Sequence, residues 1–227
     1  MSEFKDMSES SSPSGKPEGA SKASVVIINY GAGNIKSIQF AFKRLGVDAI
    51  LSNNPDEILA ADKIIFPGVG EASSAMKMLK ESGLDTLIPK LKQPVLGICL
   101  GMQLMCLSTE EGHCDGLGIF QTHVKRFSND VKVPQMGWNV IKDLKSDLFK
   151  GIKENEYMYL VHSYYAEHCN ETISKTDYGI NYASALQHNN FYGVQFHPEK
   201  SGIQGQKILE NFLNLEFHSE LVSESVT

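Results

Sequence analysis

Val95-Leu96-Gly97-Ile98-Cys99-Leu100-Gly101-Met102-Gln103 is the stretch whose reading decides the fold. Its apolar run predicts a buried strand, and Gly-x-Cys-x-Gly follows with no other turn signal. Met102, Gln103, Leu104 and Met105 then open a segment of good helix formers. A strand that runs straight into a helix holds the side chain between them at the sheet edge, pointing outward beside the helix N-terminus. Gly97 and Gly101, two residues to either side of Cys99, relieve the steric cost of so sharp a turn. A sulfur placed there lies at the positive end of the helix dipole, which favours thiolate. A lone free cysteine is most often buried and inert. The paired glycines argue instead for a nucleophile.

Upstream of this elbow the chain alternates strand and helix signals. Ser24–Asn29 is a β-branched run of the kind found in central parallel strands, followed by the turn Tyr30-Gly31-Ala32-Gly33-Asn34. Gly31-x-Gly33 lacks the rest of a dinucleotide fingerprint and reads as a plain strand-to-helix turn. Ile35, Ile38, Phe42 and Leu45 mark one helical face, which Gly46 closes. Val47–Leu51 predicts a second strand. Asn54-Pro55-Asp56-Glu57 has the cap, proline and acids of a helix start. Lys63–Phe66 predicts a third strand, broken by Pro67-Gly68-Val69-Gly70, and a helix carrying Ala75, Met76, Met78 and Leu79 stops at Gly83. Four such alternations imply an α/β fold, an open and mostly parallel sheet with helices on both faces.

Beyond about Gly116 the texture changes to short alternating segments at Leu117–Phe120, Val124–Phe127, Trp138–Ile141, Tyr157–Tyr165, Ile173–Tyr178, Ala183–Gln187 and Phe191–Phe196. These predict an antiparallel or mixed extension of the same sheet. A helix from Gly202 to about Phe217, with Ile208, Leu209, Phe212 and Leu213 on its face, closes a domain spanning 24–217. Residues 1–23 are dominated by Ser, Gly, Pro, Lys and Glu and are expected to be a disordered tail, with a second short tail at 218–227. The N-terminal segment has neither the apolar core of a secretory signal nor the arginines of a transit peptide.

A net charge of −6 without a Lys/Arg cluster argues against a nucleic-acid partner. No apolar run is long enough to span a bilayer, so no membrane association is expected. Cysteines at 99, 106, 114 and 169 make no Cys-x-x-Cys pair. Neither a zinc site nor a disulfide scaffold is indicated, no metal or cofactor is expected, and a reducing cytoplasm is the simplest home. His113-Cys114 has no further ligands at metal spacing and reads as a solvated loop.

A thiolate nucleophile needs a base, and the base needs an orienting group. His197 ends the strand signal Tyr192–Phe196, and Glu199 follows two positions later. In extended chain those two side chains project to one side, so Glu199 can fix the imidazole tautomer and leave the other nitrogen for Cys99. His162 is the rival base. It has no carboxylate two residues away and reads as a wall of the site, whereas His123, His168, His188 and His218 read as surface residues. Gly68, Val69 and Gly70 end a neighbouring parallel strand and offer unobstructed backbone N–H groups for an oxyanion.

These motifs together resemble the class I (triad) glutamine amidotransferases. Asn29–Asn34, Pro134-Gln135-Met136-Gly137-Trp138-Asn139, His162-Ser163-Tyr164 and His197-Pro198-Glu199-Lys200-Ser201 are similar to one branch of them, the glutaminase subunits of imidazole glycerol phosphate synthase. The resemblance spans about Val25 to Leu215. Two features depart from it: the N-terminal tail, and Gln135, which stands where His is common. The resemblance implies a flavodoxin-like topology and a Cys99/His197/Glu199 triad that hydrolyses glutamine, with Gly68–Gly70 as oxyanion hole. It also implies that Gln103, Ser163 and Tyr164 hold the substrate's amino-acid end, and that Asn29, Asn34, Trp138 and Lys200 face a (β/α)8-barrel cyclase subunit that receives the ammonia. For Trp138 the residues alone leave a core aromatic open. Other readings that stay open are the glutaminase partner of a surface-sugar amidating synthase, a stand-alone PfpI-like cysteine hydrolase and a non-enzymatic regulatory subunit.

Overall fold

The computed structural model describes residues 23–31 and 33–216. The tails expected at 1–23 and 218–227, apart from Ala23, lie outside those residues, as do Phe217 and His218. β1 (Val25–Ile28) leads to α1 (Ile35–Arg44), β2 (Ile50–Ser52) to α2 (Pro55–Ala60), and β3 (Lys63–Phe66) to α3 (Ala72–Glu81) and α4 (Leu84–Leu87). β4 (Val95–Ile98) then runs into α5 (Leu100–Leu104). Local chemistry sets these boundaries. The Asn54 side chain accepts the Asp56 N–H at 3.0 Å and so caps α2. α1 buries Ile38, Ala41 and Phe42, and its exit passes through Gly46 at φ +76°.

The second half contributes β5 (Cys106–Thr109), β6 (Cys114–Asp115), β7 (Phe120–Arg126), β8 (Gln135–Ile141), β9 (Glu156–His162), β10 (Tyr164–Ala166), β11 (Thr172–Asp177), β12 (Asn181–His188), β13 (Phe191–Val194) and α6 (Gly202–Leu213). The main sheet runs β2-β1-β3-β4-β13-β12-β10-β7-β5-β6, with β11 paired on β12. From β2 to β13 every pairing is parallel, and the order matches the flavodoxin-like 2-1-3-4-5 with β13 in fifth place. One face packs Met76, Leu79, Leu84 and Ile88 of the α3–α4 side, and the other packs Ile38 and Phe42 of α1 with Ile208 and Phe212 of α6. Each such side chain, once buried, stabilises by roughly 1.5–3 kcal/mol before entropy is counted.

The structure departs from the sequence expectation in several places: β2 is Ile50–Ser52 rather than Val47–Leu51, and α6 stops at Leu213. β8 and β9 form a separate two-stranded sheet rather than extending the main one. The predicted segment Tyr157–Tyr165 is two strands: the chain leaves the small sheet at Ser163 and enters the main sheet as β10, pairing with β7 and β12. Alternating burial looks the same in either sheet, so periodicity does not reveal the switch. Leu117–Ile119, expected as strand, is a connection whose N–H groups bond back to Leu104, Met105 and Cys106. Conversely β5, four residues without a period of their own, carries no readable signal in the sequence.

Candidate active site

Cys99 occupies the expected elbow at the carboxyl end of β4, with φ +55° and ψ −111°. A non-glycine residue held there stores strain, and strain of this kind concentrates at functional sites. The flanking glycines have a more specific task than easing the turn. A Cβ on Gly101 would lie 2.0 Å from the Phe66 carbonyl oxygen, and one on Gly97 would lie 2.3 Å from the Met105 side chain. They let α5 pack directly on the end of β3, while Cys99 itself carries the unusual backbone.

A pocket of about 370 Å³ opens over this elbow, lined among others by Val69, Gly70, Cys99, Gln103, His162 and His197. Ser163, Tyr164 and Lys200 also line it. His197 and Glu199, expected as base and orienter, form a buried pair with Nδ1 2.9 Å from Glu199 Oε1. A carboxylate only accepts, so Nδ1 carries a proton and Nε2 is the nitrogen left for Cys99. Burial disfavours the imidazolium. Hydrogen bonding to Cys99, the sulfur's charge and Glu199 outweigh that and raise the His197 pKa. The imidazolium form of His197 is therefore favoured in this pocket.

His162 shares the pocket and has the opposite electrostatics. Burial pushes its pKa down to about 4, against a hydrogen bond to the Tyr164 carbonyl, and the charge of His197 adds to the depression. Nδ1 donates to Tyr164 O at 2.7 Å, so Nε2 must accept, and its partner at 3.2 Å is the Tyr182 hydroxyl. That hydroxyl also stands 2.9 Å from the Gln135 amide. With its one proton given to His162, it is Gln135 that must donate, through the Nε2 otherwise left buried without a partner. The departure at Gln135 thus lies behind His162, away from the triad.

The other expected residues divide. Val69 and Gly70 line the pocket, whereas Gly68 is pressed against Leu100 and Gly101, leaving no room for a Cβ. The Tyr30 hydroxyl donates to the Pro67 carbonyl at 2.8 Å and ties this loop to the exit of β1. Gln103 is buried, and both its N–H groups are engaged, with Tyr164 O at 2.9 Å and Gln195 Oε1 at 2.8 Å. Trp138 is no core residue: it is 56% exposed on β8, edge-on to Tyr159, whose ring also carries the Lys200 ammonium 5.9 Å from its centroid. Asn29 and Asn34 flank the turn between β1 and α1. Glu111 and Pro134 also line the pocket, and Glu111 accepts the Ala72 N–H at the start of α3. Nothing in the polar run around Glu111 singles it out. Gln195 reads in the sequence as one more strand residue, although it stands at the same two-residue spacing before His197 that picks out Glu199 after it.

His123, His168 and His113 are exposed as expected, and His188 is half-buried with Nδ1 2.7 Å from Glu171. Among the described residues no group of three or more His, Cys, Asp or Glu could hold a metal, and no helix is long and apolar enough to cross a membrane.

Comparison with known proteins agrees with this geometry. The family model for class I glutamine amidotransferases matches residues 26–215. The imidazole glycerol phosphate synthase subunit HisH of Bacteroides fragilis (strain YCH46) is 56% identical over 194 residues, covering 84% of this chain and 99% of the relative. The HisH subunit of Bacteroides thetaiotaomicron is 52% identical over the same span, and HisH 1 of Vibrio vulnificus (strain YJ016) is 45% identical over 199 residues, 84% of this chain and 98% of the relative. In fold alone, the chain is similar to a solved glutamine amidotransferase structure, with a TM-score of 0.67 at 17% identity over 83% of this chain and 97% of that one. PurLQS of Thermotoga maritima gives a TM-score of 0.64 at 16% identity over 86% of this chain and 99% of that one. The chain belongs to the class I glutamine amidotransferase family, in its HisH branch.

Proposed function

We propose that this chain is the glutaminase subunit of imidazole glycerol phosphate synthase, with Cys99 as nucleophile, His197 as proton carrier and Glu199 as orienter. The observation that carries the reading is the buried His197–Glu199 pair, which lines one pocket with Cys99. The Cys99 thiolate adds to the side-chain carbonyl carbon of glutamine, forming the carbon–sulfur bond. The negative oxygen faces the backbone N–H groups of the Gly68–Gly70 loop on the side where Val69 and Gly70 line the pocket. His197 gives its Nε2 proton to the amide nitrogen, the carbon–nitrogen bond breaks, and ammonia leaves. Water then loses a proton to Nε2 and attacks the thioester, releasing glutamate and restoring the thiolate.

Because both Gln103 N–H groups are engaged within the protein, its oxygen is the atom left to accept the substrate's α-ammonium. Ser163 and Tyr164 complete the cradle for that end. Asn29, Asn34, Lys200 and the exposed Trp138 form the side offered to a (β/α)8-barrel cyclase subunit, in one amidotransferase domain over 24–217 acting in the cytoplasm. Ammonia production from glutamine is expected to be negligible for the chain alone and strongly stimulated by the barrel subunit with its nucleotide ligand. Cys99→Ser in that complex should abolish it, and steady ammonia release from the variant would overturn the mechanism.

A further inference from the structure

We propose that Gln195 holds the Cys99 sulfur in its thiolate form by donating an amide hydrogen bond to it. This rests on the reading of Cys99 as the reactive thiol. Gln195 is fully buried, and its side-chain nitrogen lies 3.7 Å from Cys99 Sγ. A glutamine amide placed next to sulfur could present either end, as donor or as acceptor. Here the orientation follows from a chain of constraints that ends at a backbone carbonyl.

Tyr164 O only accepts, and Gln103 Nε2 lies 2.9 Å from it, which fixes the Gln103 amide. The second N–H of Gln103 points at Gln195 at 2.8 Å, so the atom it meets must be oxygen. The other end of Gln195, the one facing Cys99, is therefore the N–H donor. Burial of all three partners keeps water from relaxing the arrangement. A donor to a charged sulfur is worth more than one to a neutral thiol, so the contact favours the thiolate. On its other side Sγ lies 3.7 Å from the Val161 carbonyl, which suits a protonated thiol. Gln195 is the side-chain amide that works against this carbonyl.

The backbone explains how the group arrives there. Gln195, His197 and Glu199 alternate along the chain leaving β13, and Cys99 N–H bonds to Val194 O at 2.8 Å. β13 stops at Val194, and after His197 the chain turns into a short 3₁₀ helix over Pro198–Lys200, across which Glu199 reaches back to Nδ1. One short stretch thus presents a donor to the sulfur, its proton carrier and the carrier's orienter. The other titratable groups around the sulfur or its pocket are His197 with its partner Glu199, Tyr30, Tyr182, His162, Tyr164, Glu111 and Lys200. All remain in a Gln195 variant, so a change in thiol titration between the two proteins reports on Gln195.

The test is the pH dependence of iodoacetamide alkylation at Cys99 in the full chain without glutamine, read on the Cys99 peptide by mass spectrometry. Gln195→Met keeps the length and removes the donor. Its alkylation midpoint is expected to move to higher pH by about one unit, with kcat of the complex falling and KM for glutamine changing little. A midpoint superposed on that of the parent chain overturns the proposal. Should the Met variant fail to fold, Gln195→Glu preserves the shape and replaces the donor with an acid, and the same upward shift is required of it. The measurement involves no glutamine chemistry. A silent Gln195 is therefore distinguishable from a failure of the glutaminase reading, which the Cys99→Ser assay tests separately.

Discussion

Two strand ends meet at the pocket, and each carries a histidine. His162 closes β9 and His197 follows β13, and both are buried. Burial acts on them in the same direction, against charge. Their pKa values nevertheless shift in opposite directions, because His197 has a carboxylate on one nitrogen and shares the pocket with the Cys99 sulfur, whereas His162 has a carbonyl and a phenol. Partners, more than depth in the fold, decide which imidazole moves protons.

The comparison can be broken from either end. His197→Gln should lower glutamine hydrolysis in the complex by roughly 10³–10⁴-fold, since proton transfer to the leaving nitrogen is lost. A loss of only a few fold would transfer the role of base to another group. Glu199→Gln keeps the shape but no longer holds Nδ1–H as an anion, and kcat should fall by roughly 10²-fold. The apparent pKa of the histidine, followed by NMR, should fall with it. His162→Gln should change kcat by less than about tenfold, because a residue neutral at working pH and bonded at both nitrogens is a wall of the pocket.

The same His162 variant sharpens the contrast through stability. The folded-state pKa is about 4 against an ordinary histidine value of 6.5. Between those two values the unfolded chain binds a proton that the folded chain refuses, so stability falls as pH falls through that window, by up to about 3 kcal/mol. Urea unfolding at pH 7 and at pH 4.5 should show that loss in the parent chain and a smaller one in His162→Gln. Equal losses would mean that other groups carry the acid sensitivity.

Much of the fold and site is legible in the sequence. The alternation from Val25 to Leu104 and the Cys99 elbow depend on local rules, hydrophobic period and capping at helix ends, and the structure keeps them. His197 and Glu199 do pair, but across a 3₁₀ turn at Pro198–Lys200 rather than along the extended chain that their spacing predicts. The switch of sheets at Ser163 is hidden, because buried alternation is the same whichever sheet a strand joins. Gln195 is hidden for a related reason: an apolar run swallows a single amide, and nothing local says which atom will lie beyond it.

By itself the sequence determined that a thiol sits on a strand-to-helix turn, that a histidine and a glutamate can pair, and that the first half is a parallel α/β sheet. Those are properties of neighbours along the chain. Only the tertiary structure decided that β13 lies beside β4, which brings His197 to Cys99, and that α5 packs on β3 through Gly101. It also decided that Gln103, Gln195 and the Tyr164 carbonyl form one chain of hydrogen bonds ending at the sulfur. These contacts join residues about 60 to 100 positions apart. They exist because burial leaves each polar group no water to bond, so every donor must find its acceptor within the protein.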